Sequence, residues 1–245
     1  MKWQWDWHTV PYLKEGNGSQ DMTEQKKSLQ IAIDGPAGAG KSSVAKVLAR
    51  RLGCIYLDTG AMYRAVTWLA MERQVAFDDM DGMKQLLDTL QLEFKEADGV
   101  QRLYCNGTDV TEAIRTPEIS ANVSAVSMIP LVREEMVAQQ QKIAAGCDVL
   151  MDGRDIGTTV LPDAQYKFFL TASLAERARR RALELQQKGV EVDMEQLMQD
   201  IALRDKKDSS REVSPLKQAE DAECIDTSDL SFDEVVEKLF CKIKK

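Results

Sequence analysis

Histidine is nearly absent from the 245-residue sequence, in which His8 is the only one. Catalysis by histidine is therefore excluded unless the N-terminal segment folds back over the site. Cysteine is sparse and scattered, at Cys54, Cys105, Cys147, Cys224 and Cys241. No C-x-x-C pair occurs, which argues against a zinc site or a disulfide framework. Five reduced cysteines in a cytoplasmic protein are the simplest account of this pattern.

Long apolar runs and positive charge are also missing. No run approaches the ~20 residues of a membrane span, and no signal peptide is present, so we expect a cytoplasmic protein without membrane contact. Lys and Arg number 32 against 40 Asp and Glu, a net charge of -8. This balance argues against general nucleic-acid binding, which needs a positive field. The length and the 44% hydrophobic content fit one large globular domain, or a core with insertions.

The most specific stretch is IAIDGPAGAGKSS at residues 31–43, in which Gly35 to Ser42 fit G-x-x-x-x-G-K-[ST]. We predict a buried strand at LQIAID, before this stretch, and a helix at VAKVLARRLG, after it. A strand and a helix in these places are the context of a working phosphate loop. The alternative, an ordinary glycine-rich turn, is disfavoured because loop, lysine, hydroxyl and flanks all agree. The sequence predicts that the loop binds a nucleoside triphosphate through Gly35, Pro36, Ala37, Gly38, Ala39, Gly40, Lys41, Ser42 and Ser43.

Two side chains of this loop have predicted roles of their own. Lys41 reaches the β- and γ-phosphates of the nucleotide, and the hydroxyl of Ser42 ligates Mg²⁺. The helix that starts at the loop directs its unpaired N–H groups and its dipole toward the anion.

Short apolar strands alternate with amphipathic helices from Leu29 onward, which is typical of a parallel α/β sheet flanked by helices. Strands are predicted at 54–58, 148–152, 164–172 and 222–227, besides the one before the loop. Helices are predicted at 59–73, 80–90, 173–188 and 194–207, at 117–145 with a break at Pro130, and after a cap at Ser231. Between residues 92 and 110, D-G and N-G turns predict a small antiparallel insertion.

The N-terminal residues differ from the rest and hold three of the four tryptophans. One interpretation is an aromatic docking segment. The preferred one is an extension, natural or left by cloning, that precedes a native start at Met22 and is disordered.

Three stretches narrow the function, because each follows a predicted strand, where an open α/β sheet binds its ligands. The first is LDTGAMYR. Asp58 and Thr59 lie at a strand end and helix start, suited to hydrogen-bonding a ligand, and Arg64 suits a second phosphate. The alternative places Tyr63 in the core and makes Arg64 a solvated charge.

The second stretch is MDGRDIGT, at residues 151–158. Asp152 ends a strand of the Walker B type, whose carboxylate orients the metal or its water shell. Arg154 suits a phosphate, and Asp155 suits the amino edge of a base, since carboxylates accept from the N4 amine of cytosine. An Arg154–Asp155 ion pair with only a structural role is the alternative.

The third stretch is a pair of arginine-rich helices, with arginines at Arg177, Arg179, Arg180, Arg181, Arg204 and Arg211. Such helices are usually solvated faces. Joined by QQKGVEVD, however, these two suit a hinged lid that brings positive charge over a transferring phosphoryl group and excludes water.

These motifs occur in the order found in the bacterial cytidylate kinases, of the P-loop nucleoside monophosphate kinase family, which the chain resembles from about Leu29 to the C-terminus. The motifs are IAIDGPAGAGKSS, LDTGAMYR, VREEM, MDGRDIGT and RDKKDSSREVSPL. The resemblance implies transfer of the ATP γ-phosphoryl group to CMP or dCMP with Mg²⁺, by a monomer. It also implies a core at 29–58, 146–172 and 212–245, an acceptor-binding domain at 59–145 and a lid at 173–211, after an extension at 1–28.

The resemblance also implies site residues. The acceptor-nucleotide positions are Asp58, Thr59, Tyr63, Arg64, Ser124, Arg133, Arg154, Asp155, Arg204, Asp208 and Arg211. Of these, Arg64, Arg133 and Arg154 are expected to hold the acceptor phosphate. Asp208 and Arg211 are expected to recognise the acceptor nucleotide from the lid side, through sugar or phosphate contacts. On the donor side, Arg177 and Arg181 suit phosphates and Arg180 lies near adenine. Catalytic roles are expected for Lys41, Arg133, Arg154, Arg181 and Asp152. Asp152 is expected to act through a metal-bound water. Some relatives have Gly-Thr after the loop lysine, so either Ser42 or Ser43 provides the metal-binding hydroxyl.

Two alternatives stay open. Another small kinase, acting on UMP, AMP or a non-nucleotide, would keep the donor apparatus and change the second site. A nucleotide-driven switch or ATPase would have no acceptor, although the surplus of arginines at the second site argues against it.

Overall fold

The computed structural model describes residues 28–97, 100–187 and 189–243. Its strands and helices follow one another as β1 (Gln30–Asp34), α1 (Lys41–Leu52), β2 (Ile55–Asp58), α2 (Thr59–Glu72), α3 (Met80–Asp88), β3 (Leu92–Ala97), β4 (Val100–Cys105), β5 (Thr108–Asp109), α4 (Pro117–Val126), α5 (Pro130–Ala144), β6 (Val149–Gly153), β7 (Tyr166–Thr171), α6 (Leu174–Gln187), α7 (Met194–Ser209), β8 (Glu223–Asp226) and α8 (Phe232–Ile243).

The main sheet is parallel, with the strand order β2-β6-β1-β7-β8. β1 lies at its centre, and Ile33 is paired with Asp152 on one side and with Phe168 on the other. Strands covered on both faces read as nearly continuous apolar runs, as in QIAID and VLMDG. The predicted α/β class and parallel sheet are confirmed, and the carboxyl ends of β1, β2 and β6 meet at one edge.

Helices cover both faces of this sheet. On one face α1 and α8 pack on Ile31, Ile33 and Leu150, which have 0% exposure. On the other, α2 to α5 and the small sheet form a second cluster that includes Ala32 and Met151. The segment between β2 and β6 therefore has no separate core of its own, since it shares one with the sheet.

The predicted antiparallel insertion is confirmed as a sheet of β3, β4 and β5. Its N-G turn has positive φ at both Asn106 (48°) and Gly107 (82°), as a two-residue turn of type I′ requires. The D-G turn lies at residues 98–99, outside the described ranges.

The other predicted boundaries agree with the structure to within about two residues. Pro130 separates two helices as expected, although it starts α5 instead of interrupting it. Ser231 caps α8: its hydroxyl accepts from the Glu234 amide at 3.3 Å while the Glu234 carboxylate accepts from the Ser231 amide at 2.8 Å.

Except for Ser28, the predicted N-terminal extension, with His8, is outside the described residues. Within the described ranges, no helix has the length and apolarity needed to cross a bilayer.

Candidate active site

The phosphate loop joins β1 to α1 as the motif predicts. Gly35, Gly38 and Gly40 have φ angles of 143°, 77° and 83°, in the region that favours glycine. Gly40 precedes α1 directly, and no side chain among the described residues caps the start of this helix. The first amides of α1 are therefore left to face a ligand, as in other anion sites at helix N-termini.

Gly35 also allows the loop to approach β7. A Cβ built on it would lie 1.9 Å from the carbonyl oxygen of Leu170. We expect Gly35→Ala to lower the free energy of unfolding by more than about 3 kcal/mol, because backbone strain and a backbone clash add together. Chemical denaturation would measure this loss. Gly107→Ala is the matched control, since Gly107 also has positive φ but, apart from its chain neighbours, no atom of the described residues lies within 4 Å of its built Cβ. This variant should lose only about 1 kcal/mol of the free energy of unfolding. Equal losses would contradict the role given to Leu170.

Lys41 is the first residue of α1, and only 5% of it is exposed. Its Nζ donates to the carbonyl oxygen of Pro36 at 2.7 Å, within the loop. Burial, with the nearby guanidinium of Arg154, lowers the pKa of Lys41 to about 7, although Asp152 and Asp34 oppose this shift. The amine is thus held inside the loop, where burial and Arg154 outweigh the two carboxylates.

Asp152, near the end of β6, is fixed by hydroxyl groups on both carboxylate oxygens. Ser42 donates to Oδ2 and Tyr56 donates to Oδ1, each at 2.7 Å. The backbone oxygen of Asp152 accepts from the Thr59 hydroxyl at 2.7 Å. Burial and the neighbouring Asp58 raise the pKa of Asp152. Sequence reasoning identified Ser42, Thr59 and Asp152 but missed Tyr56.

Asp34, at the end of β1, was also missed. Its carboxylate accepts from the backbone amides of Ile156 and Gly157 at 2.8 and 2.7 Å, and so anchors the turn that follows Arg154 and Asp155. Burial raises the pKa of Asp34 to about 6, against the lowering effect of those two amides. The signal was its place directly before the loop, where a parallel strand ends.

Asp58 and Arg64 form an ion pair at the start of α2. The Asp58 side chain caps the helix by accepting from the amide of Ala61 at 2.8 Å. Its other oxygen lies 3.1 Å from Nη2 of Arg64. Asp58 therefore orients Arg64, which is six residues further along the chain.

Arg133 and Asp155 form the most deeply buried ion pair of the part of the chain that the structure describes, at 2.5 Å, with residue exposures of 1% and 4%. Arg133 also donates to the carbonyl oxygen of Ser127 at 3.2 Å, and its guanidinium lies 5.3 Å from the centre of the Tyr63 ring. Burial acts to lower the pKa of Arg133, but Asp155 and Tyr63 outweigh it and raise that pKa. Asp155 is thus paired with a residue of α5 and not with its neighbour Arg154.

Arg154 instead reaches the lid. Its Nε donates to Oδ2 of Asp208 at 2.8 Å, and Oδ1 of Asp208 accepts from Arg211. Arg211 also donates to the hydroxyl of Ser127 at 2.9 Å, and so joins the end of the lid to the segment after α4. Burial acts to raise the pKa of Asp208, but Arg154 and Arg211 outweigh it and lower that pKa.

Positive charge is in excess around Asp208. Burial lowers the pKa of Arg204 to about 10, and the charges of Arg154, Arg64 and Arg211 add to this effect. Within the described ranges, several buried polar atoms of the site have no hydrogen-bond partner: the hydroxyl of Tyr63 and the Nε atoms of Arg64, Arg133, Arg204 and Arg211. Since buried donors are almost always satisfied, this set indicates a site for an anionic, hydrogen-bonding ligand.

The arginines of α6 differ in their surroundings. Arg177 donates to the carbonyl oxygen of Ala37 in the loop at 3.1 Å and to Asp205 of α7 at 2.6 Å. Arg180 donates to Thr227, and its Nη1 would lie 3.8 Å from a Cβ on Gly40. Arg181 pairs with Glu184 at 2.7 Å, with about a third of its side chain exposed. The structure thus places Arg177 and Arg180 against the loop, whereas Arg181 pairs within its own helix. Ser124, on α4, is buried.

Comparison with known proteins gives matches over most of the chain. The family model for cytidylate kinase matches residues 31–245. A cytidylate kinase from Lactobacillus gasseri is 55% identical over 217 residues, which cover 89% of this chain and 94% of that protein. One from Bacillus thuringiensis is 52% identical over 87% of this chain and 95% of its own length. In fold alone, the chain is similar to the crystal structure of an uncharacterized protein from Eubacterium ventriosum, with a TM-score of 0.50, 16% identity, and coverage of 89% of this chain and 99% of that one. The predicted family is confirmed: this chain belongs to the cytidylate kinase family.

Proposed function

We propose that the chain transfers the γ-phosphoryl group of ATP to CMP or dCMP, giving ADP and CDP or dCDP, by direct in-line transfer with Mg²⁺. Membership of the cytidylate kinase family supports the reaction and its donor. The observation that carries the proposal is the cluster of buried arginine nitrogens without partners around Asp208. Arg204 of this cluster and the neighbouring Arg154 are close enough to Lys41 to lower its pKa, so the acceptor and donor sites are adjacent.

The phosphate loop holds the donor. Its backbone amides and the N-terminus of α1 bind the phosphates, and Lys41 exchanges the Pro36 carbonyl for an anionic oxygen. Arg177 and Arg180, which already contact the loop or lie against it, add positive charge on this side. Arg181 follows Arg177 by one helical turn and would have to leave Glu184 to contribute.

The residues at the loop fit Mg²⁺, which prefers oxygen ligands and keeps several of its waters. Ser42 would supply its hydroxyl oxygen to the ion, and Asp152, only 2.7 Å from that hydroxyl, would hold the ion's water shell. Ser43 is exposed, which favours Ser42 as the ligand. Bound there, the ion neutralises charge that develops on the β- and γ-phosphates.

The acceptor phosphate is held by Arg64, Arg154 and Arg204, whose like charges repel one another until an anion enters. Asp58 orients Arg64, and Asp208 orients Arg154. Asp208 and Arg211, at the end of α7, contact the acceptor from the lid side, where a carboxylate suits sugar hydroxyls.

The base is read by the buried pair of Arg133 and Asp155, with Ser124 and Thr59 nearby in the acceptor region. Cytosine presents an N4 donor, which suits a carboxylate, and ring acceptors, which suit a guanidinium. Arg133, assigned to the acceptor phosphate from the sequence, is therefore moved to the base, since its partner is Asp155 and its free Nε is buried. Tyr63 packs beside it and has a free hydroxyl.

The chemistry needs positioning more than proton transfer. A phosphate oxygen of the acceptor is already an anion, so no side chain has to act as a strong base. The arginines hold the acceptor in line with the donor, and α6 and α7, as a lid at 173–211, close over both and exclude water.

The acceptor unit is the segment 59–145, and the core is the remainder from residue 29. We further infer a cytoplasmic monomer that binds no nucleic acid. The free thiols at all five cysteines support the location, and the net charge of -8 supports the absence of nucleic-acid binding.

A coupled assay of ADP release tests the proposal, with ATP and Mg²⁺ and with CMP, dCMP, UMP, AMP, GMP or shikimate added separately. We expect CMP and dCMP to stimulate ADP release by at least about a hundredfold over ATP alone, because a closed lid limits hydrolysis. Stimulation by another acceptor alone would indicate a different small-molecule kinase. ADP release that ignores every acceptor would overturn the proposal in favour of a switch or ATPase.

A further inference from the structure

Tyr56 contacts Asp152, the carboxylate that orients the metal. Its hydroxyl donates to Oδ1 of Asp152 at 2.7 Å, while Ser42 occupies Oδ2. Tyr56 and Asp152 are 8% and 4% exposed, so water does not compete strongly for either group. A carboxylate has about four lone-pair positions, and two of those of Asp152 are therefore used within the protein. The remaining two are fixed in direction.

The ring of Tyr56 is itself held in place from several sides. The register of the sheet sets Tyr56 opposite Leu150 and Asp58 opposite Asp152, so the hydroxyl reaches Asp152 from the adjacent strand. Gln101, on β4 of the small sheet, donates its amide to the carbonyl oxygen of Tyr56 at 2.6 Å. The ammonium group of Lys46 lies 5.9 Å from the centre of the ring. A hydroxyl presented by a ring held in this way has little freedom to release Asp152.

The orientation of a carboxylate matters most for metal binding when the carboxylate acts on the metal through a water molecule. Groups that hydrogen-bond metal-binding carboxylates orient them, and losing such a group typically weakens metal binding by about 10- to 100-fold. Tyr56 has this relation to Asp152, and Ser42 cannot replace it, because the one O–H of Ser42 already donates to the other carboxylate oxygen, Oδ2.

We propose that Tyr56 is a positioning residue for phosphoryl transfer: its hydroxyl fixes Asp152 in the orientation that holds the water shell of the nucleotide-bound divalent cation. The inference rests on the proposed function, since it takes the Ser42–Asp152 edge as the cation site. It adds a residue of β2, supported by the inserted sheet, to a site otherwise built from the phosphate loop and β6.

The test is Tyr56→Phe, which keeps the ring and removes only the hydroxyl. Mn²⁺ serves as the probe: its free concentration is followed by electron paramagnetic resonance as it is titrated into the full chain with ADP. We expect the Mn²⁺ dissociation constant to rise about tenfold or more. The affinity for ADP in EDTA should stay within about twofold of the unaltered protein, because the loop amides and Lys41 are untouched. Tyr166→Phe, the same change on β7, is the control and should leave both values unchanged.

Several results would overturn the inference. One is an unchanged Mn²⁺ affinity in a folded Tyr56→Phe protein. Another is an equal weakening of ADP binding in EDTA and of Mn²⁺ binding, which would make Tyr56 a general support of the loop. Should Tyr56→Phe not fold, as judged by circular dichroism, Gln101→Leu removes the support of the Tyr56 carbonyl and leaves the hydroxyl. Gln101→Leu should weaken the affinity for Mn²⁺ by a smaller factor and leave the affinity for ADP in EDTA unaffected. An unchanged Mn²⁺ affinity in this variant would equally refute the inference. Failure of the proposed function is recognised separately, as absence of CMP-dependent ADP release in the unaltered protein.

Discussion

Lys41→Met is expected to lower kcat for CMP phosphorylation by about a thousandfold or more, since removing one well-placed electrostatic group from such a site typically costs 10²- to 10³-fold and Lys41 carries a full charge. The fold should survive, because Nζ contributes one hydrogen bond, to Pro36, and is otherwise buried where a charge is unfavourable. Methionine fills a similar volume without that cost, so the free energy of unfolding should be unchanged or rise slightly. Initial rates and chemical denaturation measure the two effects.

The pKa of Lys41 gives the same prediction a second readout. In the free protein this pKa is lowered to about 7, so at pH 8 the amine is mostly neutral. Phosphate binding favours the charged form, and ATP binding should therefore take up nearly one proton at pH 8 and progressively less below pH 7. Calorimetry in buffers of different ionisation enthalpy counts this proton, which should be absent in Lys41→Met. Lys84→Met, at an exposed position of α3, is the control for the substitution itself. A kcat within tenfold of the unaltered protein, or an unchanged proton count, would refute the role.

Local pattern was enough to predict most of the scaffold. Apolar runs ending in Asp34, Asp58 and Asp152 gave three strands whose carboxyl ends carry polar groups, and the structure sets Asp58 and Asp152 in register. The N-G turn and the capping residue Ser231 were predictable for the same reason, since each acts within a few residues of itself.

Side-chain partners could not be predicted in this way, because they depend on how distant elements pack. Arg154 and Asp155 are adjacent in the chain, yet one pairs with Asp208, 54 residues further on, and the other with Arg133. Tyr56 was missed because its role depends on β2 being the neighbour of β6, and strand order is not written in one sequence. The arginines were found as a charge pattern, but only packing separates Arg177, which contacts the phosphate loop, from Arg181, which pairs with Glu184 of its own helix.

Asp155→Ala is expected to lower the free energy of unfolding by about 3–5 kcal/mol, because it leaves the guanidinium of Arg133 buried without its carboxylate. The same change should weaken CMP binding at least about a hundredfold, since the buried acceptor for the cytosine amine is lost. ATP affinity should change by less than about threefold, because no group of the phosphate loop contacts this pair among the described interactions. Chemical denaturation and equilibrium titrations with CMP and ATP measure the three quantities.

The two effects can be separated by replacing both members of the pair. In Arg133→Met/Asp155→Leu no charge is left unpaired, and apolar groups of similar volume often restore the stability of a broken buried pair. We expect this double variant to recover most of the free energy of unfolding lost in Asp155→Ala, while CMP-dependent ADP release stays at background. Recovery of both would mean that the pair is structural and that the base is read elsewhere. Loss of ATP affinity equal to that of CMP would also make the pair structural, since a pair that reads the acceptor base has no reason to act on the donor.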